Sequence, residues 1–181
     1  MENTSVLNAL LTRRSTRAFQ QLPVQQPLLE KIVEAGRYAP SASNRQLWHF
    51  TVVTNPQKLD QLADAARIAL REGGRELPDD FYCTYHAPVL ILVTFPKDHA
   101  FLKEDGACAL QNIFLAAHAL GLGSCWINQF GATCNHPLVR KALTDVGIPE
   151  DHAVCACAAI GHIAKETPLR PRAENAYHFV P

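Results

Sequence analysis

The sequence predicts a mixed α/β fold in which helices cover both faces of one sheet. Three observations lead there. Residues 89–95 form a near-continuous apolar run, which suits a central strand covered on both sides. Residues 105–120 form a long Ala-rich helix with almost no charge after Asp105; it is apolar on most of its circumference and so buried on more than one side, against a partner subunit as well as the sheet. Around these two, helical and β-branched segments alternate without an internal repeat, a low-complexity tract or a linker. The 181 residues therefore read as a single domain spanning 1–181, long enough to bury a core.

The elements follow in order. Val6, Leu7, Leu10 and Leu11 lie at helical spacing after Thr4 or Ser5, either of which suits a cap. Pro27 opens a second helix with Leu28, Leu29, Ile32 and Val33 on one face, and Ala39-Pro40 stops it. His49 to Thr54 is β-branched and reads as a strand. Asn55-Pro56 starts a third helix through Leu59, Leu62, Ala66 and Ala69, which Gly73-Gly74 breaks. Residues 75–86 are polar and aromatic by turns, without period, and read as a mobile or lid-like segment. After the strand at 89–95 and the helix at 105–120 come a short strand from Ser124 to Ile127, a helix from His136-Pro137 to Gly147, and a last strand from Val154 to Ile160. The tail from Lys165 is loop-like, with three prolines and two arginines.

Composition excludes several classes. Apolar residues make up 48% and charged residues 19%, which is globular composition. Lys+Arg and Asp+Glu are both 17, so no global field recruits nucleic acid or an anionic membrane. The opening Met1-Glu2-Asn3-Thr4 has no basic start before an apolar core, and no apolar run reaches the ~18–20 residues of a spanning helix, so a cytoplasmic location is expected. Six cysteines need not pair in that compartment; Cys155 and Cys157 fall on the same face of their strand, but no CxxC or Cys/His quartet supports a metal site.

Chemistry concentrates at Arg13-Arg14-Ser15-Thr16-Arg17, which ends against Ala18 and Phe19. Arginine offers a planar, permanently charged fork for phosphate or carboxylate oxygens, and hydroxyls add donors to the same anion. A helix C-terminus also attracts arginines through its dipole, so the cluster alone leaves both readings open. Pro40-Ser41-Ala42-Ser43-Asn44-Arg45-Gln46-Leu47-Trp48 packs amide and hydroxyl side chains into one loop, which suits the polar edge of a heteroaromatic ring or, alone, an ordinary capped turn. Arg170-Pro171-Arg172 adds two forks on a stiffened loop.

Together these segments resemble the FMN-dependent nitroreductase superfamily over essentially the whole chain. Arg13 to Phe19 is similar to its R-(R/H)-S-x-(R/K)-x-F opening, and Pro40 to Trp48 to its P-S-x-x-N-x-Q-P-W loop. Asp105 to Leu120 sits where its buried interface helix runs, and Ile160-Gly161-His162 with Arg170 and Arg172 resembles its closing strand and basic pair. The resemblance implies an α+β nitroreductase-like fold: a central, mostly antiparallel sheet flanked by helices, in an intertwined homodimer with FMN at the interface. It implies that Arg13, Ser15 and Arg17, with Arg14 and the pair Arg170 and Arg172, hold the FMN phosphate and ribityl oxygens. Ser41, Ser43, Asn44 and Gln46 would come from the partner subunit or line the isoalloxazine, and Trp126, Ile127, Asn128 and Gln129 would run beside the ring with a backbone N–H near N5. No side chain is implied as catalytic, because the flavin carries the chemistry. The implied activity is ping-pong hydride transfer from NADH or NADPH through flavin N5 to nitroaromatic, quinone or similar electron-poor acceptors. Leu47 stands where the family has proline, Asn128-Gln129 where many members have Glu-Gly, and the chain is short for the family.

Gly121-Leu122-Gly123 follows a helix and enters a strand, the reverse of the dinucleotide fingerprint, and reads as a helix C-cap. Cys83 lies near His86, which could activate a thiol, but sequence adjacency says little about geometry and the pair reads as incidental; His118 in the apolar helix reads as a core or interface histidine. Within the implied fold, an oxygen-dependent flavin-processing enzyme or oxidase, or a flavin-binding storage protein without turnover, are the competing functions.

Overall fold

The structure, a computed structural model, describes residues 4–174 and 176–180. Met1 to Asn3, which carry part of the expectation of no secretion signal, lie outside them. The chain forms α1 (Thr4–Thr12), α2 (Gln26–Arg37), β1 (His49–Val53), α3 (Pro56–Glu72), β2 (Val89–Pro96), α4 (Leu102–Ala119), β3 (Gly123–Ile127), α5 (Gln129–Thr133), α6 (Pro137–Thr144) and β4 (His152–Gly161). The strands make one sheet in the order β1-β2-β4-β3, with every adjacent pair antiparallel.

The apolar run at 89–95 is the middle of this sheet because both its faces are covered. Leu90 and Leu92 pack with α3, α5 and α6, whereas Val89, Ile91, Val93 and Phe95 pack with α2 and α4. Strand alternation thus divides the core into two halves, one on each side of the sheet. Asn55 caps α3, its side chain accepting the Lys58 N–H at 3.1 Å. α4 ends in a Schellman motif: the Leu122 N–H donates to the Ala117 carbonyl at 2.9 Å and the Gly121 N–H to His118 at 3.0 Å. Gly121 takes φ +76°, which confirms the C-cap reading of the Gly121-Leu122-Gly123 run.

Four expectations are corrected. α1 begins at Thr4, one residue before the helix start read from the sequence. α4 starts at Leu102, a turn before Asp105, and the short helix α5 appears where the sequence has no long apolar period to announce it. Cys155 and Cys157 do not share a face. A bulge opposite Val93 and Thr94 inserts an extra residue in β4, so Cys155 and Ala156 both turn toward α4 while Cys157 lies in the opposite core half. Gly106 of α4 makes room there: a Cβ on it would overlap the Cys155 Sγ.

The fourth correction concerns residues 75–86, expected to be mobile. Their second half is tied down: Cys83 and Thr84 are buried, Phe81, Tyr82 and Tyr85 pack on the core, and the Tyr82 hydroxyl donates to the Asp60 carboxylate at 2.7 Å. No helix among the described residues is long and apolar enough to cross a membrane.

Candidate functional site

The arginine segment lies along the free edge of β3. The Thr16 N–H donates to the Ser124 carbonyl at 2.8 Å, Ser15 forms a parallel bridge with Ser124, and Phe19 an antiparallel one with Ile163. Phe19 is buried, as the apolar anchor after the cluster should be. Within the segment Thr16 is buried and Arg17 exposed. Thr16 seats on Gly123, where a Cβ would fall 2.6–2.8 Å from Thr16 side-chain atoms.

The contacts of each arginine separate the two readings of the cluster. Arg14 folds back on its own helix, Nη1 donating to the Leu11 carbonyl at 2.8 Å and the Arg13 carbonyl at 2.6 Å. It serves the end of α1. Arg13 instead stands over the Phe114 ring, 5.7 Å from its centroid, and Phe114 lies 6.2 Å from Trp126. Burial lowers the Arg13 guanidinium from its ordinary range, and the charges of Arg14 and Arg172 lower it further. Arg17 shifts the other way, raised by its hydrogen bond to Tyr85 and by the nearby Cys125. A cavity of about 250 Å³ adjoins the cluster, with Arg13, Arg14, His118, Ser124 and Glu166 in its wall. His118, read as a core or interface histidine, sits 2.9 Å from the Thr12 hydroxyl through Nε2 and ties α1 to α4.

No ion pair among the described residues includes Arg13, Arg14, Arg17, Arg170 or Arg172. A partly buried guanidinium lowered by two neighbouring cations, with no carboxylate paired to it among the described residues, is a donor suited to a phosphate dianion. Arg172 reaches this group; Arg170 lies exposed on the tail. Of the stretch beside β3, Trp126 is 39% exposed, but Ile127 is 1% exposed and turns its side chain into the core, leaving only its backbone toward a ligand. Asn128 precedes α5 and Gln129 begins it.

The loop with Ser41, Ser43, Asn44 and Gln46 is strained. Ser43, Asn44 and Gln46 take φ of 52°, 54° and 51°, a region non-glycine residues avoid, so three of four consecutive positions are forced. The Ser41 hydroxyl accepts the Gln46 N–H at 3.1 Å, and the Asn44 side-chain oxygen accepts from Gln46 Nε2 at 3.0 Å. Asp105, at the start of α4, accepts the Ala42 N–H at 2.9 Å. The arginines lie instead near Phe114 and His118, about 9–13 residues further along that helix, which at 1.5 Å per residue is roughly 14–20 Å away. One protomer does not bring the loop and the arginines together.

Several neighbours of the site had weak sequence signals. Tyr85, with φ 56°, stands 5.8 Å by its ring centroid from the Arg17 guanidinium, and nothing in its sequence context marks it. Asp105 was visible as the last charge before a long apolar run, but its partner Ala42 was not. The Cys83 thiol is no nucleophile: burial pushes it up to about 12, and His86 stacks on Tyr82 with ring centroids 3.8 Å apart. A Cys83→Ser protein is expected to keep its redox turnover within about twofold, measured as NAD(P)H consumption, because a thiol so far from ionisation contributes no nucleophile.

The sequence profile of the nitroreductase family matches residues 10–162. The chain belongs to that family. A crystal structure of a nitroreductase with bound FMN from Bacteroides fragilis superposes with a TM-score of 0.89 at 39% identity, covering 97% of this chain and 98% of that one. A Methanothermobacter thermautotrophicus protein, provisionally named an NADH dehydrogenase/NAD(P)H nitroreductase, is 38% identical over 91% of this chain and 81% of its own length. A Vibrio harveyi NADPH-flavin oxidoreductase is 30% identical over 95% of this chain and 70% of its own. The antiparallel sheet with helices on both faces is thus the nitroreductase fold, and this family member keeps it at 181 residues.

Proposed function

We propose that this chain is an FMN-dependent NAD(P)H oxidoreductase of the nitroreductase type, acting as one domain in a cytoplasmic homodimer and reducing nitroaromatics, quinones or similar electron-poor acceptors. The observation that carries the reading is Arg13, partly buried and lowered by Arg14 and Arg172, with Arg17 in the same segment and no ion pair to any of them among the described residues. The repulsion at Arg13 is relieved by a bound phosphate dianion. The names of the relatives supply the cofactor and donor classes: FMN in the B. fragilis structure, NADPH and flavin in the V. harveyi enzyme. When bound, FMN supplies the redox chemistry itself. The protein's residues bind and orient it. Arg13, Ser15 and Arg17 hold the phosphate from one side and Arg172, with Arg170 on the same tail, from the other. Trp126 and the backbone of Ile127 to Gln129 flank the ring.

The homodimer rests on two features. The strained loop and the arginines sit toward opposite ends of α4, so a second, antiparallel copy of that helix is what places the Ser41–Gln46 loop of the partner subunit against the arginines. α1 also exposes Val6, Leu7, Leu10 and Leu11, between 45% and 71%, beside a cavity lined by Ala35, Leu115 and Ala116. An apolar face of that size is expected at a subunit interface. The test is the visible spectrum of the purified protein titrated with FMN. The expected result is a saturable flavin band that bleaches with NADH or NADPH under anaerobic conditions and returns on adding a nitroaromatic. A protein that takes up no FMN overturns the reading.

A further inference from the structure

We propose that Asp105 and His99 are positioning residues for the flavin: a buried pair that clamps the strained loop 41–46 in the conformation that meets the ring. This rests on the functional reading above. Asp105 lies within the first turn of α4 with its side chain 5% exposed, where an unpaired carboxylate would be strongly unfavourable. Both its oxygens are used. Oδ1 accepts the Ala42 N–H at 2.9 Å, and Oδ2 accepts from His99 Nε2 at 2.9 Å. A carboxylate only accepts, so Nε2 carries the proton of the second bond.

His99 is fixed in turn. Its side chain is 1% exposed, its ring stacks on Phe95 with centroids 5.3 Å apart, and Phe101 meets it edge-on at 6.3 Å. The ring can therefore hold the carboxylate in one orientation. The carboxylate holds Ala42, the first residue of the 3₁₀ turn that leads into Ser43, Asn44 and Gln46. Left-handed backbone at a serine and a glutamine persists only where surrounding structure over-determines it. The loop's remaining side-chain bonds, Gln46 N–H to Ser41 and Gln46 Nε2 to Asn44, run within the loop itself. Among the described residues, the Asp105 bond is the side-chain bond that joins it to α4. The chain of effect is thus Phe95 and Phe101 to His99, His99 to Asp105, Asp105 to Ala42, and Ala42 to the hydrogen-bonding side chains of the loop.

The experiment compares wild type with Asp105→Ala, Asp105→Asn and His99→Gln. Asparagine keeps an acceptor for Ala42. If Asp105→Ala fails to fold, His99→Gln takes its place: glutamine keeps a donor for Asp105 but lacks the ring held by Phe95 and Phe101, so exchange at residues 42–46 is expected to speed up there too, and unchanged exchange overturns the proposal. Two readouts are used. In flavin-free protein, amide exchange at residues 42–46 is expected to speed up at least about tenfold in Asp105→Ala and to stay near wild type in Asp105→Asn. In protein saturated with FMN, the reduction potential and visible circular dichroism are expected to shift in Asp105→Ala and to recover in Asp105→Asn. Loss of thermal stability alone would not move a spectrum measured on folded, saturated protein. Unchanged exchange, or a wild-type potential and spectrum in folded Asp105→Ala, overturns the proposal. If wild type itself binds no FMN, the functional reading fails instead, and the exchange result still decides whether the clamp holds the loop.

Discussion

An Arg13→Glu protein is expected to lose FMN affinity by at least about 100-fold while remaining as stable as wild type when flavin-free. The two halves of this expectation have one cause. A hydrogen bond to a charged partner contributes about 1.5–3 kcal/mol, and reversing the charge turns an attraction for phosphate into a repulsion. In the flavin-free protein, however, Arg13 is itself unfavourably placed, partly buried and beside Arg14 and Arg172. A glutamate there attracts both, which offsets the lost contact with the Phe114 ring and leaves the apo protein about as stable. Fluorescence titration of FMN together with thermal unfolding of the apo protein measures both halves. Equal FMN affinity would remove Arg13 from the phosphate group, whereas parallel losses of affinity and melting temperature would make its role structural. The wild-type affinity should also weaken with added salt, as an electrostatic contact does.

The second large effect is expected at Gly123. A methyl group there lies 2.6–2.8 Å from three side-chain atoms of Thr16, one of them its Cβ, which is fixed to the backbone and cannot swing aside. The strand or the arginine segment must move, and the 2.8 Å bond from the Thr16 N–H to Ser124 is the first contact to lengthen. Gly123→Ala is expected to cost about 1–3 kcal/mol of stability, as overpacking does, and to weaken FMN binding roughly tenfold by shifting Arg13, Ser15 and Arg17 together. Combining it with Thr16→Gly frees the space and should recover part of the FMN affinity. A singly substituted protein that melts and binds like wild type would show that the segment is not seated on β3.

The proposed clamp and the proposed phosphate site divide the cofactor between them. One end is held by unpaired positive charge, which needs little geometry because a phosphate is a compact dianion. The other is held by amide and hydroxyl groups, whose hydrogen bonds fall off steeply with angle. That is the end at which the structure stores backbone strain and anchors it with a buried carboxylate.

Much of this architecture was legible in the residues themselves. The run at 89–95 announced a central strand because a strand covered on both faces has almost no polar position. The helix at 105–120 announced its burial by lacking charge. Arg13 to Arg17 offered three forks and two hydroxyls, which by themselves suited an anion or a helix end equally. Elsewhere local pattern was silent. The α5 helix is only five residues long, too short for a periodic signal, and the bulge that turns Cys155 away from Cys157 depends on pairing with β2. Residues 75–86 looked free because their aromatic side chains have no period, yet they are held by contacts with distant segments, as in the Tyr82–Asp60 bond.

By itself, then, the sequence determined which segments bury, which carry charge and which could meet an anion, since burial and charge are properties of residue type and spacing. Only the tertiary structure decided which arginine does what. Arg13 stands over Phe114 and Arg17 beside Tyr85, while Arg14 is spent on the carbonyls of α1. It also decided that Asp105 belongs with Ala42, 63 residues away in the chain, because hydrogen bonds join groups that folding brings together and leave no trace in local spacing.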